Sequence, residues 1–167
     1  GLLGASLASS FSKKNKVKVA LLCGAIGGIA PDLDILINSS EDKLLFLQYH
    51  RHFTHSLIFI PFGGLIVSLF LYFFLKNNNL FKEIYIFTTL GFSTHGILDS
   101  CTSYGTNLLW PFSDVRISWN IISIIDPLFT SILLIFTILC FSFKSNYSIR
   151  LGFAFSVVYL IFNLLKL

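Results

Sequence analysis

The chain has 167 residues, of which 54% are hydrophobic and only 12% charged, and it holds 19 Phe. A soluble domain carries about 25% charged residues, and a globule of this length has too little interior for so much apolar surface. The composition therefore excludes a typical cytosolic enzyme, a disordered protein and a nucleic-acid binder. It indicates an all-α, polytopic transmembrane bundle forming one domain over residues 1–167, with the lipid bilayer as its main partner. The net charge of +4 is modest, so the placement of the charges matters more than their sum.

Six helical spans follow from the uncharged apolar runs. Residues 1–11 read as a short helix, the tail of a longer one, and residues 12–16 as a basic turn. The chain contains no Met and opens on Gly1-Leu2-Leu3-Gly4, so a truncated N-terminus is expected. Residues 17–37 form the second span, whose small residues Ala20, Gly24, Ala25, Gly27 and Gly28 permit close helix packing. It runs into Pro31-Asp32-Leu33-Asp34, and residues 38–53 form a polar loop. Residues 54–75 are the clearest span, without a charge after His55, and a turn follows at residues 76–79. The fourth span, residues 83–100, carries His95 and Asp99, and residues 101–120 make a second polar loop. Asp126-Pro127 stands near the start of the fifth span, residues 121–143, and the last span covers residues 149–165. Cys23, Cys101 and Cys140 show no CxxC spacing and read as small buried residues, with Cys101 beside the polar cluster.

The charges sort by helix end. Lys13, Lys14, Lys16, Lys18, Lys76, Lys82, Lys144 and Arg150 share one side with a single acid, Glu83. The other side carries Asp32, Asp34, Glu41, Asp42, Asp99, Asp114 and Asp126 against Lys43, Arg51, Arg116 and Lys166. By the positive-inside rule the basic turns are cytoplasmic, which puts the acidic face on the extracytoplasmic side of the inner membrane.

His50, His52, His55 and His95 all fall on the acidic side. Ionisable groups at membrane depth are costly and usually face a polar cavity. His95 and Asp99 are four apart on one helix face and can bind one ion. His52 and His55 can do likewise if their helix starts early, and the alternating Asp32 and Asp34 can bridge two ions. Mixed imidazole and carboxylate donors suit zinc, manganese or iron better than calcium. The candidates outnumber the ligands of one tetrahedral ion, so more than one ion is plausible, and such sites activate water against phosphoesters. Asp126 reads equally as a helix cap and as a ligand or base. Arg51 and Arg116 read equally as phosphate binders and as partners of nearby carboxylates. Glu41, Asp42 and Asp114 look like solvated loop charges. No HExxH and no GxSxG is present, and a Ser56-His95-Asp99 triad is a minor alternative.

The motifs occur in a fixed order: Pro31-Asp32-Leu33-Asp34, His50-Arg51-His52-Phe53-Thr54-His55-Ser56 and Thr94-His95-Gly96-Ile97-Leu98-Asp99. Thr102-Ser103-Tyr104-Gly105-Thr106, Trp110-Pro111-Phe112-Ser113, Arg116 and Ile125-Asp126-Pro127-Leu128 complete the series. Over residues 1–130 this resembles the YdjM-like family of membrane-bound metal-dependent hydrolases. The resemblance implies a helical membrane protein with Asp32, Asp34, His50, His55, His95 and Asp99 as the best ligand candidates. His52 is the weakest of the clustered His, because relatives often have Gly there. The family is distantly similar to zinc-dependent phospholipases C and related nucleases, which implies hydrolysis of a phosphoester. Relatives also begin with a short Asp-x-x-Thr-Gln or Thr-His stretch before the Gly-Leu-Leu-Gly segment. The expected function is thus hydrolysis of a lipid or envelope-precursor phosphoester at the outer face, with Asp126, Arg51 and Arg116 assisting. The rival is a non-catalytic metal-binding membrane protein, such as a transporter subunit, a sensor or a scaffold.

Overall fold

The computed structural model describes residues 1–37, 50–75, 80–143 and 146–166. Glu41, Asp42 and Lys43 of the expected polar loop, and the turn residues Lys76 and Lys144, lie outside the described residues. Among the described residues there are six α-helices. These are α1 (Leu2–Ser10), α2 (Val17–Gly27), α3 (Ile60–Leu75), α4 (Phe81–Ser100), α5 (Pro127–Phe143) and α6 (Asn146–Leu164). Among those residues the only β pairing is an isolated bridge between Thr106 and Ile117.

Three helical stretches are long and apolar enough to cross a membrane: Lys14–Leu36, Leu57–Leu75 and Tyr147–Leu164. Helix α5 is a shorter apolar helix. Phe62, Phe70, Phe73 and Phe74 of α3 are exposed on the protein surface. In a bilayer that surface contacts hydrocarbon, where leaving Phe exposed carries no hydrophobic cost.

The helices pack through their small residues. A Cβ on Gly24 would collide with the backbone carbonyl of Gly4 and the methyl of Ala8, and one on Gly91 would collide with the backbone of Gly24. Helices α1, α2 and α4 therefore cross with their backbones in contact, as small-residue interfaces allow. Ala8, Ala20, Cys23, Leu71, Ile84 and Phe87 form the adjoining core.

Two spans begin or end differently from the apolar pattern. The second gives up α-helical geometry after Gly27 and continues as a 3-10 stretch, Ala30–Leu36. Gly27-Gly28 weakens the helix, and Pro31 has no N–H to continue the ladder. The third enters through two 3-10 turns, Phe53–His55 and Leu57–Phe59, before Pro61 at the start of α3. Residues 121–126 of the fifth span stay out of the helix, because the residue before Pro127 disfavours α geometry. Instead Asp126 caps α5, its Oδ1 accepting from the Phe129 N–H at 2.8 Å.

The two ends of the bundle differ in chemistry. At one end Lys16 pairs with Glu83 at 3.0 Å, and Arg150 Nε donates to the Ser10 carbonyl at 2.9 Å. At the other, the end of the second span, the entry to α3 and the last turns of α4 bring the His and Asp residues together.

Candidate metal centre

Four side chains from three segments converge. Asp32 comes from the 3-10 stretch after α2, His55 from the turn before α3, and His95 and Asp99 from successive turns of α4. One donor atom from each lies within 4.8 Å of all the others. His95 Nε2 is 3.1 Å from Asp32 Oδ1 and 3.4 Å from Asp99 Oδ2. His55 Nε2 is 3.7 Å from Asp32 Oδ1 and 3.6 Å from Asp99 Oδ2. Donors held about 2.0–2.2 Å from a shared tetrahedral ion stand about 3.3–3.6 Å apart. These four spacings bracket that range and every pair lies within 4.8 Å, so the donor set can gather around one divalent ion such as zinc with small side-chain adjustments.

The polar balance points the same way. His55 is only 2% exposed. Its Nε2 and the Oδ2 of Asp99 are buried and make no hydrogen bond among the described residues. A buried polar atom left without a hydrogen bond is costly; Asp99 Oδ2 has the Arg51 guanidinium beside it, so the atom a cation would satisfy is His55 Nε2. Each imidazole is also anchored by its other nitrogen. His95 Nδ1 is 2.7 Å from the Gly28 carbonyl, which can only accept. His55 Nδ1 is 2.9 Å from Thr54 Oγ1 and 3.3 Å from Asp34 Oδ2. Metal-bound imidazoles are usually fixed this way.

Asp34 and His50 stand one layer further out. The Asp34 carboxylate accepts from His50 Nδ1, the Arg51 backbone N–H and Thr54 Oγ1, each at 2.9 Å. The 3-10 geometry separates the two carboxylates of Pro31-Asp32-Leu33-Asp34, so Asp32 faces His55 and His95 while Asp34 faces the segment from residue 50 to 55. His52 is turned away toward Trp110, with ring centroids 5.8 Å apart. A helix begun early would have put His52 and His55 on one face, but His52 stands outside the turn Phe53–His55 with a non-helical backbone, φ −94° and ψ −120°.

Arg51 adopts a left-handed backbone, φ 60°. Its carbonyl accepts from the Asn107 N–H at 3.2 Å, which ties the turn to the second polar loop. Its Nε lies 3.1 Å from Asp99 Oδ2. Arg51 and Arg116 both stack on Tyr104, at 4.8 and 4.7 Å, and Arg116 also donates to the His50 carbonyl. Close approach of the turn to α4 requires Gly96, since a Cβ there would strike the His55 carbonyl.

A cavity of about 260 Å³ abuts the cluster, lined by His95, Asp99, Thr102 and Asp126 and on its apolar side by Leu98 and Phe129. Asp126 borders it with both oxygens engaged, Oδ1 by the α5 N-terminus and Oδ2 by the Tyr159 hydroxyl at 2.9 Å. Thr54 and the Gly28 carbonyl are site groups that sequence reasoning missed. The Thr stands one residue before His55, but nothing in the spacing announces its hydrogen bonds.

The fold and the cluster together define an integral membrane helical protein with a His/Asp centre at one end that can hold a metal ion. The chain belongs to the YdjM inner membrane protein family, whose model matches residues 1–167. It is 30% identical over 111 residues to the uncharacterized protein YfhP of Bacillus subtilis, a stretch covering 66% of this chain and 32% of YfhP. It is 31% identical over 112 residues to the inner membrane protein YbcI of Escherichia coli, covering 62% of this chain and 61% of YbcI. The matched stretch is thus about a third of one relative and three fifths of the other. No solved structure matches the chain.

Proposed function

We propose that the protein is a metal-dependent hydrolase that cleaves a phosphoester of a lipid or envelope precursor at the extracytoplasmic face of the inner membrane. The observation that carries this reading is the convergence of donor atoms from Asp32, His55, His95 and Asp99 within 4.8 Å of one another, with both imidazoles anchored from behind. These four residues hold the ion, zinc first, with manganese or iron as alternatives. A divalent ion there supplies Lewis acidity and an acidified water at neutral pH. Arg51 and Arg116 bring two guanidinium charges to the same end of the bundle and balance an anionic phosphoester. Arg51 also holds Asp99 in place. Asp126 orients the wall of the cavity that receives the substrate.

The charge sorting supports this side of the membrane: Lys16 and Arg150 mark the end opposite the cluster, and basic ends favour the cytoplasm.

A non-catalytic metal staple is the second reading, favoured by the donor count, since structural zinc sites are closed shells of four protein ligands. Against it, the Asp32 side chain is 44% exposed and a cavity adjoins His95 and Asp99. The site therefore has an open side. The test is hydrolysis of bis(p-nitrophenyl) phosphate and of phospholipid by the purified, metal-loaded protein. Turnover in the wild type, lost in His95→Ala and Asp99→Ala proteins that keep their fold, supports the enzyme. Metal bound by the wild type without turnover of any phosphoester in a broad panel supports the staple and overturns the enzyme.

A further inference from the structure

We infer that Thr54, backed by Asp34, is a positioning residue that fixes the proton of His55 on Nδ1 and so aims the lone pair of Nε2 at the centre. This rests on the metal-centre reading and adds to it the device that prepares one ligand. The direction of each hydrogen bond follows from which groups can donate. Asp34 is buried, 3% exposed, and as a carboxylate it only accepts. The Thr54 hydroxyl lies 2.9 Å from Asp34 Oδ2, so its single proton is committed there. The Thr54 oxygen is then left as an acceptor, and the group facing it at 2.9 Å is His55 Nδ1. That nitrogen must carry a proton to make the contact, and Asp34 Oδ2 at 3.3 Å favours the same proton directly. In a neutral imidazole a proton on Nδ1 leaves Nε2 bare. Nε2 is the atom buried between Asp32 and Asp99 without a hydrogen bond.

The chain thus runs from Nε2 through the ring to Nδ1–H, then to the Thr54 hydroxyl and the Asp34 carboxylate. Asp34 is itself fixed by the Arg51 N–H and by His50 Nδ1, each at 2.9 Å. Three donors from the protein and a fourth at 3.3 Å occupy this carboxylate, which has about four lone-pair sites. Its place is behind the ligands rather than among them. The arrangement differs from that at His95, where a backbone carbonyl alone sets the ring. A side chain sets His55, so a substitution can remove it without moving the main chain.

The test compares Thr54→Val, which keeps the shape and loses the hydroxyl, with Thr54→Ser, which keeps the hydroxyl. Two readouts are taken on the full chain in detergent: zinc affinity, and the protonation of His55 Nδ1 by ¹⁵N resonance on ring-labelled protein without metal. Outer partners of metal ligands are worth about 10- to 100-fold in affinity, so Thr54→Val is expected to bind zinc at least about tenfold more weakly and Thr54→Ser within about threefold of wild type. The wild type and Thr54→Ser are expected to show a proton on Nδ1 and none on Nε2, since an imidazolium would carry both. A bare Nδ1 or a protonated Nε2 in the wild type overturns the inference, as does a Thr54→Val protein with unchanged zinc affinity. The resonance on the wild type decides the matter even if Thr54→Val fails to fold. If the wild type binds no zinc, manganese or iron, the metal-centre reading falls separately, and the proton on Nδ1 still judges the positioning role.

Discussion

The crossing of α1, α2 and α4 and the cluster at the end of the same helices are held by opposite means. At the crossing, Gly4, Gly24 and Gly91 bring backbones together, and what matters is the absence of side-chain atoms. At the cluster, Asp32, His55, His95 and Asp99 are held by hydrogen bonds and charge, and what matters is which atom carries a proton. The lesson is that volume and polarity can be varied separately in this molecule. Added methyl groups should break the crossing and with it the whole bundle. Isosteric polar changes should disable the cluster and leave the bundle standing.

The largest effect is expected at the crossing. Gly24→Leu drives a side chain into the Gly4 carbonyl and the Ala8 methyl. Overpacking typically costs about 1–3 kcal/mol, and a backbone obstacle cannot repack, so the loss should reach or exceed the top of that range. The measurement is the yield of monodisperse protein in detergent and its melting temperature; a normal yield and melting point would break the distinction. Next comes the cluster. His55→Ala and His95→Ala should each lose bound metal while keeping the helical circular dichroism spectrum of the wild type. A variant that unfolds outright would show that the cluster holds up the fold as much as the crossing does.

Smaller effects lie between the two regions. Asp126→Ala removes the cap of α5 and the partner of Tyr159, and a lost cap costs about 1 kcal/mol. Thermal melting should show a modest drop, and Tyr159→Phe a lesser one because the cap survives. The smallest effect is expected at the basic end, where Lys16 and Glu83 form a partly exposed pair. Glu83→Gln should cost no more than about 1 kcal/mol, and less in high salt. A larger loss would mean that this end also depends on specific polar contacts.

Much of the helical layout is legible in the sequence because spanning helices announce themselves as long uncharged runs. The small residues of residues 17–28 likewise announce a close crossing, and Gly24 makes it. The site is legible in composition but not in geometry. His95 and Asp99 share a helix face by simple periodicity, and their donors are 3.4 Å apart. The other two groups arrive through 3-10 turns and a left-handed Arg51, which apolar patterns do not encode. Asp32 and Asp34, two residues apart, end up with different neighbours because the stretch after Pro31 winds as a 3-10 turn. Thr54 gives no signal at all: its importance comes from a proton committed to Asp34, a fact of three-dimensional contact.

The central claim is that Asp32, His55, His95 and Asp99 form one metal centre. It is tested most directly by elemental analysis of the purified chain, loaded with zinc, manganese or iron and freed of excess ion, beside an Asp32→Asn, His95→Ala double variant. The account predicts about one tightly held ion per wild-type chain and none above background in the folded variant. No retained ion in the wild type, or equal retention in both proteins, would contradict it.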